Sequence, residues 1–104
     1  MTKPQTAPEI EIVDDQQQET AYEPMFRVII HNDDVTPMDF VVQVLRSIFM
    51  LLAPDAIKVM YAAHYQGEAV VQVLPKGEAE KRINKAHFAA GLEDYPLHFS
   101  MEPE

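Results

Sequence analysis

Two groups of polar residues in this chain have types and spacing that suit a binding site. Asn32, Asp33 and Asp34 follow one another in a predicted turn directly before a helix, and His64 ends the apolar stripe of a later helix. At the rim of a pocket, His64 as a neutral imidazole would accept a hydrogen bond. Both groups also have a structural interpretation, because Asn and Asp form turns with their own backbone and a histidine can pack in a core.

No catalytic constellation accompanies these residues. The chain has no cysteine and only three scattered glycines, and the serines Ser47 and Ser100 lie in no nucleophile-elbow context. A metal site needs more ligands than residues 32–34 supply, and no calcium-loop spacing follows them. We therefore predict a protein that is not an enzyme and that needs no metal and no cofactor. An acidic metal-binding module built on the same polar residues is a weaker alternative.

Charge and hydropathy limit the partners further. Seventeen acidic residues against eight lysines and arginines give the 104-residue chain a net charge of −9. Such a charge repels phosphate backbones and anionic lipids, so neither nucleic acid nor a membrane is expected as a partner. Cationic partners remain compatible with it, and a free amino terminus is one such cation. The longest apolar run, residues 48–54, is far shorter than the ~18 residues of a membrane span. The first residues resemble no secretory signal, so we expect the cytoplasm, with a plastid stroma as the alternative.

The composition changes near residue 24 and divides the chain in two. Residues 1–24 contain three prolines, a run of three glutamines, six acidic residues and one lysine. Few apolar side chains are available there to offset the entropy of ordering, which predicts a disordered arm. Residues 25–104 have the composition of one folded domain.

Hydrophobic periodicity predicts the order β-α-α-β-α-β for this domain. Strand-like alternation occurs near residues 26–31, 69–75 and 97–101. Thr36 is a good N-cap for a first helix with Pro37 at its first position and Asp39 completing a capping box. Pro54 separates this helix from a second one, which ends at Gly67. A third helix ends near Gly91, and the result is an α+β fold with a three-stranded antiparallel sheet and three helices on one face.

The predicted inner faces follow from the same periodicity. They comprise Val41, Val44, Leu45, Ile48 and Leu52 on the first helix, Ile57, Met60, Tyr61 and His64 on the second, Ala79, Ile83, Ala86 and Ala90 on the third, and Leu97, Phe99 and Met101 on the last strand.

Three stretches of the sequence together resemble the ClpS family of Clp protease adaptors. Residues 26–45, FRVIIHNDDVTPMDFVVQVL, are similar to its signature, residues 59–69, VMYAAHYQGEA, to its second block, and residues 95–97, YPL, to its last strand. The spacing between these blocks fits without gaps, and the resemblance covers about residues 25–102. The family's fold has the order of elements that periodicity predicts here.

The resemblance implies an adaptor. Such proteins bind substrates whose first residue is Leu, Phe, Tyr or Trp, and deliver them to a Clp AAA+ unfoldase of the ClpA or ClpC type. Asn32 and His64 would bind the α-amino group, with Asp33 and Asp34 beside them, because an ammonium has three donors and no acceptor. The apolar pocket for the first side chain would be formed by Thr36, Pro37, Met38, Val41, Met60, Ala63 and Leu97.

The resemblance also implies a docking surface for the unfoldase. Arg82 matches a basic docking position, and Glu78 stands next to Gly77, where the family generally has a glutamate. The acidic arm matches the family's flexible extension, which is implicated in delivery. The main alternative is a non-catalytic interaction domain of the ribosomal-stalk type, which shares this fold and has no preference for a partner's first residue.

Overall fold

The computed structural model describes residues 23–104, so the predicted arm lies outside the described residues except for its last two. Six elements follow one another, in the order β1 (Met25–His31), α1 (Met38–Ser47), α2 (Ala53–Gln66), β2 (Glu68–Pro75), α3 (Lys76–Leu92) and β3 (His98–Pro103). The predicted α+β fold and the order β-α-α-β-α-β are confirmed. No helix in the described part of the chain is long and apolar enough to cross a membrane.

The sheet has the strand order β2-β1-β3, and β1 pairs antiparallel with both neighbours. His31 at the end of β1 is the register partner of Glu68 on one side and of His98 on the other. The end of β1 and the starts of β2 and β3 therefore meet at one end of the sheet. A bulge shifts the register between Val28 and Ile29 of β1, which leaves Val71 of β2 as the extra residue.

Apolar side chains from the sheet and all three helices form one core. The predicted inner face of α3 is confirmed, since Ala79, Ile83, Ala86 and Ala90 are all buried. Phe49, which lies after α1 and was not predicted as a core residue, has no exposed surface and stacks on Phe99 with ring centroids 5.0 Å apart. No residue with a polar or charged side chain among residues 23–104 is buried, so the core of this part of the chain consists of apolar side chains.

The predicted beginning of the first helix is wrong in detail. Pro37 is the N-cap of α1, and no side chain caps the helix. Thr36 is unavailable as a cap because its hydroxyl donates a hydrogen bond to Asp33 Oδ2. The capping box does not form either, since Asp39 Oδ1 accepts the amide of the adjacent Phe40.

The boundary between the first two helices is also displaced from its prediction. α1 ends at Ser47 rather than at Pro54, so Leu52 leaves the predicted stripe and is exposed. Pro54 lies in the first turn of α2, where a missing N–H costs no hydrogen bond. Gly67 ends α2 with a left-handed φ of 93°, as predicted.

The buried face of α2 is rotated relative to the prediction. The buried residues are Ala56, Met60 and Ala63, whereas the predicted Ile57 and Tyr61 are exposed. Two alanines on the inner face let the helix lie close to its neighbours, and the larger side chains remain outside.

The end of the third helix differs from its prediction as well. α3 continues past Gly91 to Leu92. The left-handed residue after the helix is Asp94, with a φ of 61°. Asp tolerates this conformation better than most residues with a side chain, so no glycine is needed there.

The stacked pair of Phe49 and Phe99 gives the first testable prediction. We expect Phe49→Ala to lower the free energy of unfolding by about 3–5 kcal/mol, because a large cavity would replace a fully buried ring. Phe88→Ala is the matched control, since Phe88 is 71% exposed. Urea denaturation followed by circular dichroism measures both variants. Equal midpoints for the two variants would contradict the assignment of Phe49 to the core.

Candidate functional site

A concave site lies at the end of the sheet where β1 ends and β3 begins. Its volume is about 310 Å³, and it lies between the β1–α1 turn, the second half of α2 and the residue before β3. All eleven residues predicted to bind a substrate line it, namely Asn32, Asp33, Asp34, Thr36, Pro37, Met38, Val41, Met60, Ala63, His64 and Leu97.

Asp33 organises the turn that forms one side of the site. Its Oδ1 accepts the backbone amides of Val35 at 2.8 Å and Thr36 at 2.6 Å, and its Oδ2 accepts the Thr36 hydroxyl at 2.9 Å. Burial raises the pKa of Asp33, but these three hydrogen bonds outweigh burial and the pKa is lowered overall. Both carboxylate oxygens are therefore engaged in holding the turn between β1 and α1.

Asp34, the next carboxylate, takes no part in this turn. Its side chain is exposed and makes no hydrogen bond to another residue of the described part of the chain. Asp33 makes the turn instead. An exposed carboxylate at the rim of the site adds negative charge there without holding the backbone.

A backbone hydrogen bond brings the two predicted amine-binding residues to the same rim. The amide of Asn32 donates to the carbonyl of Gly67 at 2.9 Å, which joins the end of β1 to the end of α2. His64 lies in the last turn of α2, immediately before that point. Both side chains are exposed, and neither has a hydrogen-bond partner among residues 23–104. An amide oxygen and an imidazole nitrogen are thus free to accept hydrogen bonds from a ligand.

The floor of the site is apolar. Met60, Ala63 and Leu97 are 7%, 4% and 5% exposed, so what remains of their surface faces the concavity. Met38 stands at the mouth and is 41% exposed. The site therefore combines acceptors and negative charge at its rim with an apolar floor, an arrangement that suits an ammonium group attached to a bulky apolar side chain.

Sequence reasoning missed three residues of the site, Ile30, His31 and Val35. His31 is half-buried, its Nε2 lies 2.7 Å from the Ser100 hydroxyl, and its Nδ1 lies 3.5 Å from the Glu68 carboxylate. In the sequence, His31 is a polar residue in a strand where apolar and polar positions alternate, and nothing in that pattern marks it as a site residue. Its position directly before Asn32 was the only signal that could have placed it at the site.

The predicted docking residues Glu78 and Arg82 do not line the site but lie on α3. Arg82 donates to Glu78 Oε2 at 2.8 Å, to Gln72 Oε1 at 3.1 Å and to the carbonyl of Phe49 at 3.4 Å. The hydrogen bond from Arg82 lowers the pKa of Glu78. Arg82 therefore joins α3 to β2 and to the segment after α1, so part of its charge is used within the fold.

The structure gives no support to the metal-binding alternative. Within residues 23–104, no three histidine, aspartate or glutamate side chains are grouped so as to hold a metal ion. Both oxygens of Asp33 already accept hydrogen bonds from the turn. The fold and the site together define a small binding domain with a pocket open at one end of its sheet.

Comparisons with known proteins identify this class of binding domain. The family model for the ATP-dependent Clp protease adaptor protein ClpS matches residues 21–100. A ClpS adapter of Desulfatibacillum aliphaticivorans is 41% identical over 87 residues, which cover 84% of each chain. One from Syntrophus aciditrophicus is 44% identical over 78 residues, covering 75% of this chain and 73% of the relative. The chain belongs to the ClpS family of Clp protease adaptors.

A solved structure agrees with this assignment. Agrobacterium tumefaciens ClpS2, in a structure bound to L-phenylalaninamide, matches with a TM-score of 0.76 and 35% sequence identity. The match covers 79% of this chain and 99% of the other. The fold of the adaptor is therefore present here over nearly its full length.

The hydrogen bonds of Asp33 predict unequal effects of two neighbouring substitutions. We expect Asp33→Ala to lower the free energy of unfolding by about 1–2 kcal/mol, because two backbone amides lose their acceptor. Asp34→Ala, the matched control, should leave it within about 0.5 kcal/mol. Because the folded-state pKa of Asp33 is lowered, its contribution is present above the ordinary value of 3.8 and is lost as the pH falls through the folded-state pKa. Chemical denaturation at pH 7 and pH 3 tests this, and equal losses for the two variants at pH 7 would refute it.

Proposed function

We propose that this protein binds proteins whose first residue is Leu, Phe, Tyr or Trp and delivers them to a Clp AAA+ unfoldase for degradation. In this role it is an adaptor and performs no catalysis of its own. The first step takes place in the site between β1, α2 and β3, and the second uses surfaces outside that site. The bacterial cytoplasm is the proposed compartment.

The observation that carries this proposal is the pairing of free acceptors with an apolar floor. The free α-amino group of a protein is an ammonium, which donates hydrogen bonds and attracts carboxylates. Asn32 and His64 would accept those hydrogen bonds, while Asp33 and Asp34 favour the positive charge. The side chain of the first residue would enter the pocket and contact its apolar floor. Recognition then requires charge and bulk together, and an internal peptide segment offers no ammonium.

Calorimetric titration with two peptides tests this function. One peptide begins with Leu, and its twin is identical except for an acetylated amino group. We expect the first to bind and the second not to bind, because acetylation removes the charge and most of the donors. Equal binding of both peptides would refute the proposal and favour an interaction domain without a preference for the first residue.

A single substitution tests the proposed role of the Asn32 side-chain amide at the rim of the site. We expect Asn32→Ala to weaken binding of a Leu-initiated peptide by about 1–3 kcal/mol, because one acceptor of the ammonium is lost. Its side chain makes no hydrogen bond within the described part of the chain, so the melting temperature should change little. Wild-type affinity in this variant would show that Asn32 serves only the turn.

Ala63 suggests a preference among the four first residues. Ala63 is 4% exposed and lies one helical turn from Met60 on the same face of α2, where it contributes to the apolar floor. A small residue at this position leaves a wider pocket. A leucine side chain would then leave a gap and lose dispersion contacts, while a large aromatic ring would fill the space.

We therefore expect Ala63→Val to improve binding of Leu relative to Phe and Trp. At about 0.8 kcal/mol per buried methylene, the change should be a few-fold to tens-fold in relative affinity. The measurement is a competition series with four peptides that differ only in their first residue, run on both proteins. An unchanged ratio of Leu to Phe affinity would show that Ala63 does not face the bound side chain.

Delivery needs contact with the unfoldase outside the binding site. We propose that Glu78 and Arg82 take part in docking through the surface of α3. A further carboxylate lies at the start of α3, since Glu23 Oε2 accepts a hydrogen bond from the amide of Gly77 at 2.6 Å. A Cβ at position 77 would lie only 3.0 Å from that oxygen, so Glu23 occupies the space next to this glycine. The carboxylate of Glu23 thus supplies negative charge next to position 77, where the family generally has a glutamate, and this supports the docking proposal.

The acidic arm is proposed to act in delivery rather than in binding. We expect deletion of residues 2–20 to leave the melting temperature and the peptide affinity unchanged and to slow degradation of a Phe-initiated substrate by the Clp protease. The reason is that the arm's composition offers little apolar surface for packing. Thermal melts, calorimetry and a degradation assay on one preparation separate the three properties. A large fall in melting temperature would show that the arm is part of the folded domain.

A further inference from the structure

A histidine outside the binding site contacts the strand β3, which follows directly after Leu97 of the apolar floor. His87 lies on α3, and its Nε2 accepts the backbone amide of Phe99 at 2.9 Å. β3 is an edge strand, so its outward N–H groups have no partner in the sheet. The imidazole therefore takes the place of a neighbouring strand at this point. Only a neutral imidazole with an unprotonated Nε2 can accept this hydrogen bond.

The anchored amide is two residues from the pocket. Leu97, 5% exposed, forms part of the apolar floor, and β3 begins at the next residue. The Phe99 side chain is held independently in the core by its stacking on Phe49. The hydrogen bond to His87 thus fixes the backbone between a core ring and a pocket side chain.

Other titratable groups face His87 in a row that leads to the pocket. His98 of β3 stacks on His87 with ring centroids 5.4 Å apart, and His31 of β1 follows at 5.2 Å from His98. His31 lines the pocket, and Glu68 of β2 lies on its other side. Burial lowers the pKa of His87, and the neighbouring His98 lowers it further. The neutral form of His87 is thus the form that the folded protein favours.

We propose that His87 is a positioning residue for the first-residue pocket: its neutral imidazole holds the start of β3 and with it Leu97 of the apolar floor. Its protonation in mild acid loosens this part of the floor and weakens peptide binding. This inference rests on the proposed function and adds a pH-dependent step to it. A proton on His87 would also leave the Phe99 amide without its acceptor, which is costly for a half-buried group.

The sign of the pH effect follows from linkage. Because the folded-state pKa of His87 is lowered, its contribution to stability is complete above the ordinary value of 6.5 and is lost as the pH falls through the folded-state pKa. If protonation weakens peptide binding, the peptide must in return lower the pKa of His87 by the logarithm of the same factor. We expect this factor to be about fivefold.

An NMR titration of the His87 ring tests the proposal on the full chain. The ring protons are followed against pH, with and without a saturating Phe-initiated peptide, together with hydrogen exchange of the Phe99 amide. We expect the peptide to lower the pKa of His87 and to slow exchange at Phe99. An unchanged pKa would overturn the inference while leaving the proposed function intact. Absence of peptide binding at pH 7.5 would instead overturn the proposed function and the inference with it.

Two variants separate the hydrogen bond of His87 from its protonation. In His87→Gln the amide oxygen can accept from Phe99 but does not titrate, so binding at pH 7.5 should match wild type and the loss in acid should shrink by about fivefold. In His87→Leu no acceptor remains, so binding at pH 7.5 should already be about fivefold weaker. A loss in acid of wild-type size in His87→Gln would overturn the inference.

Discussion

One carboxylate determines how the strand β1 turns into the helix α1. Asp33 accepts two backbone amides and one hydroxyl within three residues, and this closes the turn without a glycine. The turn then places Asn32 on the rim and Pro37 at the start of the helix. Without Asp33, three donors near the surface would have to find water instead, and the rim would lose its shape. The side of the site between β1 and α1 depends on this turn.

The pocket is an opening in the hydrophobic core rather than a separate cavity. Met60, Ala63 and Leu97 belong to the core cluster, and they also form the floor of the site. A ligand side chain that enters the pocket extends the core by a few apolar contacts. The same side chains therefore contribute to the stability of the domain and to the shape of the pocket. We expect a change in the floor to affect both properties together.

Local sequence patterns predicted those features of the fold that depend on one helix or strand alone. The alanine-rich face of α3 follows from spacing alone, and Gly67 ends α2 because a left-handed residue is needed there. The carboxylate that holds the turn could not be chosen from the sequence, because Asp33 and Asp34 have the same chemistry and only the backbone path distinguishes them. Pro54 predicts a boundary between α1 and α2, but α1 already ends at Ser47, and Pro54 lies in the first turn of α2, where proline is common.

The contacts that sequence reasoning missed join different elements of the chain. His31 lines the site, whereas His87 and His98 lie outside it on α3 and β3, and only the register of the sheet and the packing of α3 bring the three rings into a row. Arg82 is similar, since its contacts reach β2 and the segment after α1. No local pattern predicts such contacts. The resemblance to the ClpS family supplied the pairing of Asn32 with His64, which the composition alone left open.

The central claim is that one pocket binds a free amino group and a bulky first side chain at the same time. A crystal structure of this protein with L-phenylalaninamide tests it most directly. We expect the ammonium within hydrogen-bond distance of the Asn32 amide oxygen and the His64 ring, with the phenyl group against Met60 and Leu97. A phenyl group bound elsewhere, or an ammonium that contacts neither Asn32 nor His64, would contradict it.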